Sequence, residues 1–285
     1  MTKSVLSDLY TKVFKSDNPL FLFIGINVLI FLLIQLVAVS EFLFTGNTGA
    51  SKWLSFQISM PAYLPAMLYK PWSPVTYMFG HAGLFHILFN LLWLYWFGRI
   101  FLDFLNKRQF IFTYLAGGLA GAALFIIAYN VFPAFGPSLP GAVLIGSSAS
   151  VMAVIAATAT LLPDYTINLL LIGPVRLKYL ALVYFVLDLI GIASTNPGGS
   201  IAHIGGAILG FVFIKQLQNG NDWSKQFKKK SKLKIVQKDN PAAKAARLPD
   251  QEIIDQILDK ISKSGYESLS KKEKEQLFKA SSNKE

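Results

Sequence analysis

Long apolar runs separated by short polar stretches organise residues 18 to 217, and a charge-rich stretch follows to residue 285. The first run, "LFLFIGINVLIFLLIQLVAV", covers Leu20 to Val39. About 20 apolar residues in a helix are enough to cross the roughly 30 Å hydrocarbon layer of a bilayer. Further runs extend from about His81 to Leu102, from Phe110 to about Phe132, from Ser148 to Leu162, from Tyr179 to Ala193 and from Ile201 to Leu217. The last three are short, so their ends are expected to be buried in protein or to lie near the surface. "INLLLIG", Ile167 to Gly173, is too short to span and is expected at the interface. The pattern predicts an all-α membrane protein, a bundle of six transmembrane helices over residues 18–217.

Composition and charge refine this picture. The chain is 53% hydrophobic and only 15% charged, against about 25% charged residues in a soluble domain. The net charge of +11 sits largely at the ends, where it reads as a topology signal and not as a nucleic-acid footprint. Residues 1–17 carry acids and precede an apolar run without a small-residue cleavage site, so the first run is expected to be a retained helix. There is no cysteine, which excludes disulfides, thiolate metal sites and a cysteine nucleophile. Arg99, Lys107 and Arg108 lie between runs two and three, and Arg176 and Lys178 between four and five. The connections after runs three and five carry no charge. With six spans both termini share one side, and "KQFKKKSKLK" marks that side as cytoplasmic.

In that topology runs two, four and six all start on the outer side, and with them all three histidines of the chain. Ionisable groups inside a membrane are costly and normally face a protein interior or a wet cavity. His86 and Asn90, at i and i+4, project from one helix face. His81, five residues earlier, needs a different partner or a frayed helix start. His203, Gly206 and Gly210 share a face of run six, and the glycines leave a groove for a neighbouring helix. Ala149, Ala153 and Ala157 of run four offer the matching surface, and a close crossing brings His203 to Ser148. A neutral imidazole can take the proton of a serine hydroxyl. His86, Asn90 and the free N–H groups that open run four could stabilise an oxyanion. Ser147 and Ser150 are expected to be structural, and "LAGGLAGAAL", Leu115 to Leu124, a tight helix-packing face and not a phosphate loop.

"HAGLFHILFN" (81–90), "GSSAS" (146–150) and "AHIGGAILG" (202–210) together resemble the signature stretches of the rhomboid intramembrane serine proteases. The resemblance covers about residues 18–217 and implies a rhomboid-type six-helix bundle. It implies Ser148 as nucleophile, His203 as general base, and His86 with Asn90 as oxyanion donors. Gly146 would belong to a strained turn before the serine, and His81 would support the site by hydrogen bonding. The substrates implied are transmembrane proteins, cut near the outer face, with small side chains at the cleaved position. No cofactor or metal is implied; the spacing of the histidines suits shared zinc ligation poorly. The location implied is a bacterial inner membrane, as a multi-pass protein.

The sequence departs from the family pattern in two places. Met152 stands where a tyrosine often stacks on the base, and Trp72 is followed by Ser73 where many members have arginine. Asp188 is read as a carboxyl hydrogen-bonded to a neighbouring helix or to loop backbone, in preference to orienting His203 or shaping a substrate gate. Two other functions stay open: a rhomboid-like protein that binds transmembrane clients without cutting them, and a channel or transporter. Charged or broken helices near the midplane would mark the latter, and the deep parts of these runs hold few charges.

After the core comes a basic juxtamembrane linker, 218–249, and then a small helical hairpin tail, 250–285. Ile253, Ile254, Ile257, Leu258 and Ile261 fall on one helical face, Gly265 is a stop, and Ser270 with Glu273 forms a capping box. Self-association or partner docking is the role the tail suggests.

Overall fold

A computed structural model describes residues 7, 10–169, 172–194, 196–227 and 251–281. They fall into two compact units, Met1–Lys229 and Lys230–Glu285. Most of the basic stretch after Phe227, and the linker at 240–249, lie outside the described residues.

The first unit is an all-α bundle. Helix α1 is Pro19–Thr45, α2 Gly49–Ile58, α3 Leu84–Phe104 and α4 Lys107–Val131. Helix α5 is Ser148–Leu161, α6 Leu177–Gly191 and α7 Pro197–Gln218. Helices α1, α3, α4 and α7 are long and apolar enough to cross a membrane. Helix α5 has 14 residues and α6 has 15, short of the roughly 20 that a straight crossing takes.

Local chemistry sets several helix ends, and they differ from the limits of apolarity. Asn18 Oδ1 accepts from the Leu20 amide and Pro19 occupies the first helical position, while Gly46, at φ 71°, ends α1 six residues beyond Val39. Asn106 and Gln109 form a reciprocal capping box, so α4 starts at Lys107, before its apolar run. Helix α7 starts at Pro197 behind an Asn196 cap, so His203 lies inside the helix and not at its opening.

Two places expected to be plain connection or interface are structured. Strand β1, Met60–Pro61, pairs antiparallel with β2, Val143–Leu144, and so ties the connection between α2 and α3 to the segment before α5. The "INLLLIG" segment enters a hairpin in which β3, Thr166–Leu169, pairs with β4, Gly173–Arg176. In the connection after α2, three side chains reach back to its last carbonyls, of which Phe56 O also accepts from Ser59. Lys70 Nζ donates to Phe56 O at 2.7 Å, Trp72 Nε1 to Gln57 O at 2.9 Å and Thr76 Oγ1 to Ile58 O at 2.9 Å. These bonds anchor the loop with Ser73 in the position of the family arginine.

Helix α5 is the central element, packed against α3, α4, α6 and α7. Small residues allow this. A Cβ on Gly121 of α4 would lie 2.6 Å from Ala149 Cβ and 2.7 Å from Ala202 O. A Cβ on Gly206 or Gly210 of α7 would collide with the backbone carbonyls of Ala149 and Ala153, respectively. Near α1, the buried Asn27 donates to Phe23 O and to Tyr114 Oη, and Tyr114 donates to Met78 O. These bonds satisfy the Asn27 amide nitrogen, while its buried Oδ1 has no partner among the described residues.

In the second unit α8, Gln251–Ser264, and α9, Lys271–Ser281, flank a turn that starts at Gly265, at φ 78°. Ser270 N donates to Glu273 and Glu273 N to Ser270 Oγ, the reciprocal bonds of a capping box. Hydrogen bonding to Ser270 and the Lys260 ammonium hold the Glu273 carboxyl down to about 2. The covered face of α8 is narrower than its apolar pattern: Ile257 is buried and Ile254 and Ile261 are half-buried, while Ile253 and Leu258 are exposed.

Candidate active site

Ser148 is the first residue of α5, and Gly146 two positions earlier sits at φ 141°, where an L side chain is strained. Space there is limited too. A Cβ on Gly146 would lie 2.8 Å from His86 Cε1, 2.9 Å from His86 Nε2 and 3.5 Å from Ser148 Oγ. The His86 ring and the Ser148 hydroxyl therefore converge on the space above Gly146.

The α5–α7 contact brings His203 to the same level. Gly206 meets Ala149 and Gly210 meets Ala153, both at an offset of 57 positions, so the two helices run parallel in register. One turn before Gly206, His203 then stands level with residue 146 and the start of α5. Ser148, His203, His86, Asn90 and Met152 line one cavity of about 710 Å³. On its flank Trp93 of α3 meets Tyr184 of α6 edge to face, with ring centroids 5.2 Å apart. Ser148, His86 and His203 are half-buried, so all three are reachable from the cavity.

Ser147 precedes α5 but does not cap it. Its hydroxyl lies 3.0 Å from His81 Nε2, and both side chains are buried. No side chain covers the first N–H groups of α5, which carry the positive end of the helix dipole beside Ser148. His81 lies before α3 and not in its first turn, because the helix begins only at Leu84, and its ring meets the His86 ring edge to face at 5.0 Å. Asn90 Nδ2 donates to His86 O at 2.8 Å, which leaves its second N–H for the cavity. Ser150 is fully buried and its hydroxyl has no hydrogen-bond partner among the described residues.

For Asp188 the sequence reading preferred a bond to a neighbouring helix or to loop backbone, with orientation of His203 as the alternative. Its Oδ1 lies 2.8 Å from His203 Nδ1. The partner is not loop backbone but an imidazole of the neighbouring helix α7, which lines the same cavity as Ser148. The one signal in the sequence was a lone carboxyl at the depth of the histidines, and its partner depended on the pairing of α6 with α7. Among the described residues there is no group of three His, Asp or Glu side chains able to hold a metal ion.

Comparison with known proteins adds the following. The Rhomboid domain family model matches residues 69–218, more than half of the chain, and a family of unknown function matches residues 244–283. The chain is 27% identical over 176 residues to RHOMBOID-like protein 12, mitochondrial, of Arabidopsis thaliana, which covers 58% of this chain and 51% of that protein. It is 28% identical over 141 residues to presenilin-associated rhomboid-like protein A, mitochondrial, of Danio rerio, covering 48% and 35%. To rhomboid protease GlpG of Yersinia pseudotuberculosis it is 29% identical over 174 residues, covering 60% and 55%. The chain thus spans about half, or less, of the length of these relatives.

Proposed function

The chain belongs to the rhomboid family, and on that premise we propose that it is an intramembrane serine endopeptidase that cuts transmembrane proteins near the outer membrane face. The observation that carries this reading is the convergence of Ser148, His203, His86 and Asn90 on one cavity. Of the three relatives described above, one is named a protease.

In the proposed reaction, the Ser148 hydroxyl attacks the scissile carbonyl as its proton passes to His203 Nε2. The Oγ–C bond forms and the carbonyl π pair moves to oxygen. His86, Asn90 and the open N–H groups of α5 receive that oxyanion, the role in which preorganised donors lower a barrier most. His203 then returns the proton to the amide nitrogen as the C–N bond breaks, and water hydrolyses the acyl-enzyme by the same steps. The substrate helix must unwind locally, because its carbonyls are otherwise held in helical hydrogen bonds. Met152 packs in the cavity as a soft neighbour of the base. The proposed route of arrival is between α3 and α6, where the Trp93–Tyr184 contact would part.

The proposed topology has six spans, with α5 and α6 as the short ones, and both termini on the cytoplasmic side of a bacterial inner membrane. The proposed partition is a protease core over 18–217, a basic linker and a helical tail. Self-association through the tail belongs to the same proposal.

The test is cleavage of a model transmembrane substrate in liposomes, with fluorophosphonate labelling in parallel. Wild type is compared with Ser148→Ala, His203→Ala and, as a control, Ser150→Ala, whose hydroxyl makes no bond. Loss of cleavage in the first two with retention in the third supports the reading. Cleavage that is indifferent to Ser148 sinks it. Well-folded protein that binds several transmembrane substrates but cuts none favours a client-binding relative.

A further inference from the structure

Helix α6 presents most of its surface outward: Leu182, Val183, Leu187 and Ile190 are exposed. Its only buried residues are Leu177, at its start, and Asp188, near its outer end. An acid as the one covered residue in the outer half of an apolar helix needs a reason, because an ionised carboxylate is expensive there unless paired. Among the described residues its hydrogen-bond partner is His203 Nδ1, on Oδ1, and Oδ2 has none.

The pairing follows from helix register. Helices α6 and α7 run antiparallel, joined by a short turn in which Ser194 Oγ donates to Gly191 O at 2.6 Å and Asn196 caps Gly199. A Cβ on Gly191 would collide with the Ser200 hydroxyl, so the two helices touch at that level. One turn further along each helix, the same antiparallel register sets Asp188 opposite His203. The glycine contact thus decides which α6 side chain the imidazole meets.

We propose that Asp188 is a positioning residue for His203, holding the ring in its Nδ1–H tautomer so that Nε2 presents a lone pair to Ser148. This rests on the Ser148–His203 reading above. Nδ1–H donates to Asp188 Oδ1, and a neutral imidazole then has only Nε2 left to accept a proton. When Ser148 attacks, Nε2 gains the serine proton and the ring becomes cationic beside the carboxylate. Asp188 neither gains nor loses a proton. An acid with this function in a Ser–His site is worth up to about 10⁴-fold in turnover.

The experiment uses the scarcity of histidine. With only three in the chain, uniform ¹⁵N-histidine labelling of the full-length protein in detergent gives three ring systems. His203 is assigned by the signal missing in His203→Gln. Expected for wild type is a neutral His203 protonated at Nδ1, with a shift toward Nε2–H in Asp188→Asn and Asp188→Ala. In cleavage assays turnover falls about 10²–10⁴-fold with KM little changed, and Asp188→Glu recovers part of the loss. Wild-type His203 protonated at Nε2 overturns the proposal. So does Asp188→Asn turnover within threefold of an active wild type. An Nδ1–H tautomer that depends on Asp188, in a protein that cleaves nothing, upholds the positioning and instead removes the protease reading.

Discussion

Gly206 lies directly against the backbone carbonyl of Ala149, so the two helices that carry Ser148 and His203 touch main chain to main chain. A side chain at 206 has nowhere to go, because a carbonyl cannot rotate aside as a flexible side chain can. Gly206→Val is expected to lower stability by about 1–3 kcal/mol or more and to abolish cleavage by displacing His203. Thermal unfolding in detergent, beside the liposome assay, checks both. Gly210→Val, one turn deeper against Ala153, should cost similar stability with a smaller loss of turnover. Equal catalytic losses would mean that the local displacement of His203 is not what matters.

His86 shares the space above Gly146 with the Ser148 hydroxyl. In the proposed role of oxyanion donor it should act on the transition state more than on substrate binding. His86→Ala is therefore expected to lower kcat by about 10²–10³-fold while KM changes little. Asn90→Ala should have a smaller effect, because one of its two amide hydrogens is committed to His86 O. A mutant effect carried by KM alone would assign these residues to substrate binding.

His81 and Ser147, joined by their bond, do not line the cavity that holds Ser148. Ser147→Ala should cost about 1–3 kcal/mol, the penalty for leaving a buried polar group without its partner. His81→Phe combined with Ser147→Ala should cost less than the sum of the two single changes, by about 0.5–3 kcal/mol. A double-mutant cycle on unfolding free energies measures this. Strict additivity would show that the two side chains do not interact energetically.

Beyond the last turn of α7, Asp222 accepts from Arg108 Nη2 at 2.9 Å and from the Ser224 amide at 3.0 Å. Burial pushes its carboxyl up, but the Ser224 bonds and the Arg108 guanidinium outweigh this and hold it below the usual carboxylate range. A carboxyl lowered in the folded state stabilises fully above its unfolded value of about 3.9 and loses that contribution as pH falls through the folded value. Arg108→Met should therefore cost about 1–3 kcal/mol at pH 7, and the gap to wild type should narrow as pH falls below the unfolded carboxylate value of about 3.9. Melting curves across that range decide it. A gap that widens on acidification would reverse the sign of the linkage.

How far the sequence could be read differs from feature to feature. The apolar runs locate the helices because burial in lipid or protein demands long apolar stretches. Their ends were not fixed by apolarity: capping chemistry at Asn18–Pro19, Gly46 and Asn106 with Gln109 set them beyond the limits of the runs. The motif positions 86, 90, 148 and 203 all line one cavity, and the small residues that bring them together stood out as a helical stripe. Asp188 was not legible in the same way. It sits 15 positions before its partner, on another helix, and no periodicity within either helix names the pair.

By itself, then, the sequence determined where helices form, which faces are small enough for close approach, and which chemistry-bearing residues are available. Those properties depend on side chains within a few turns of each other. Only the tertiary structure decided who meets whom: Asp188 with His203, Ser147 with His81, and Lys70, Trp72 and Thr76 with the end of α2. The physical reason is that such pairings depend on the register and depth at which separate helices dock. Close contact at Gly191 with the Ser200 side chain, and at Gly206 and Gly210 with backbone carbonyls, sets that register between α6 and α7 and between α5 and α7.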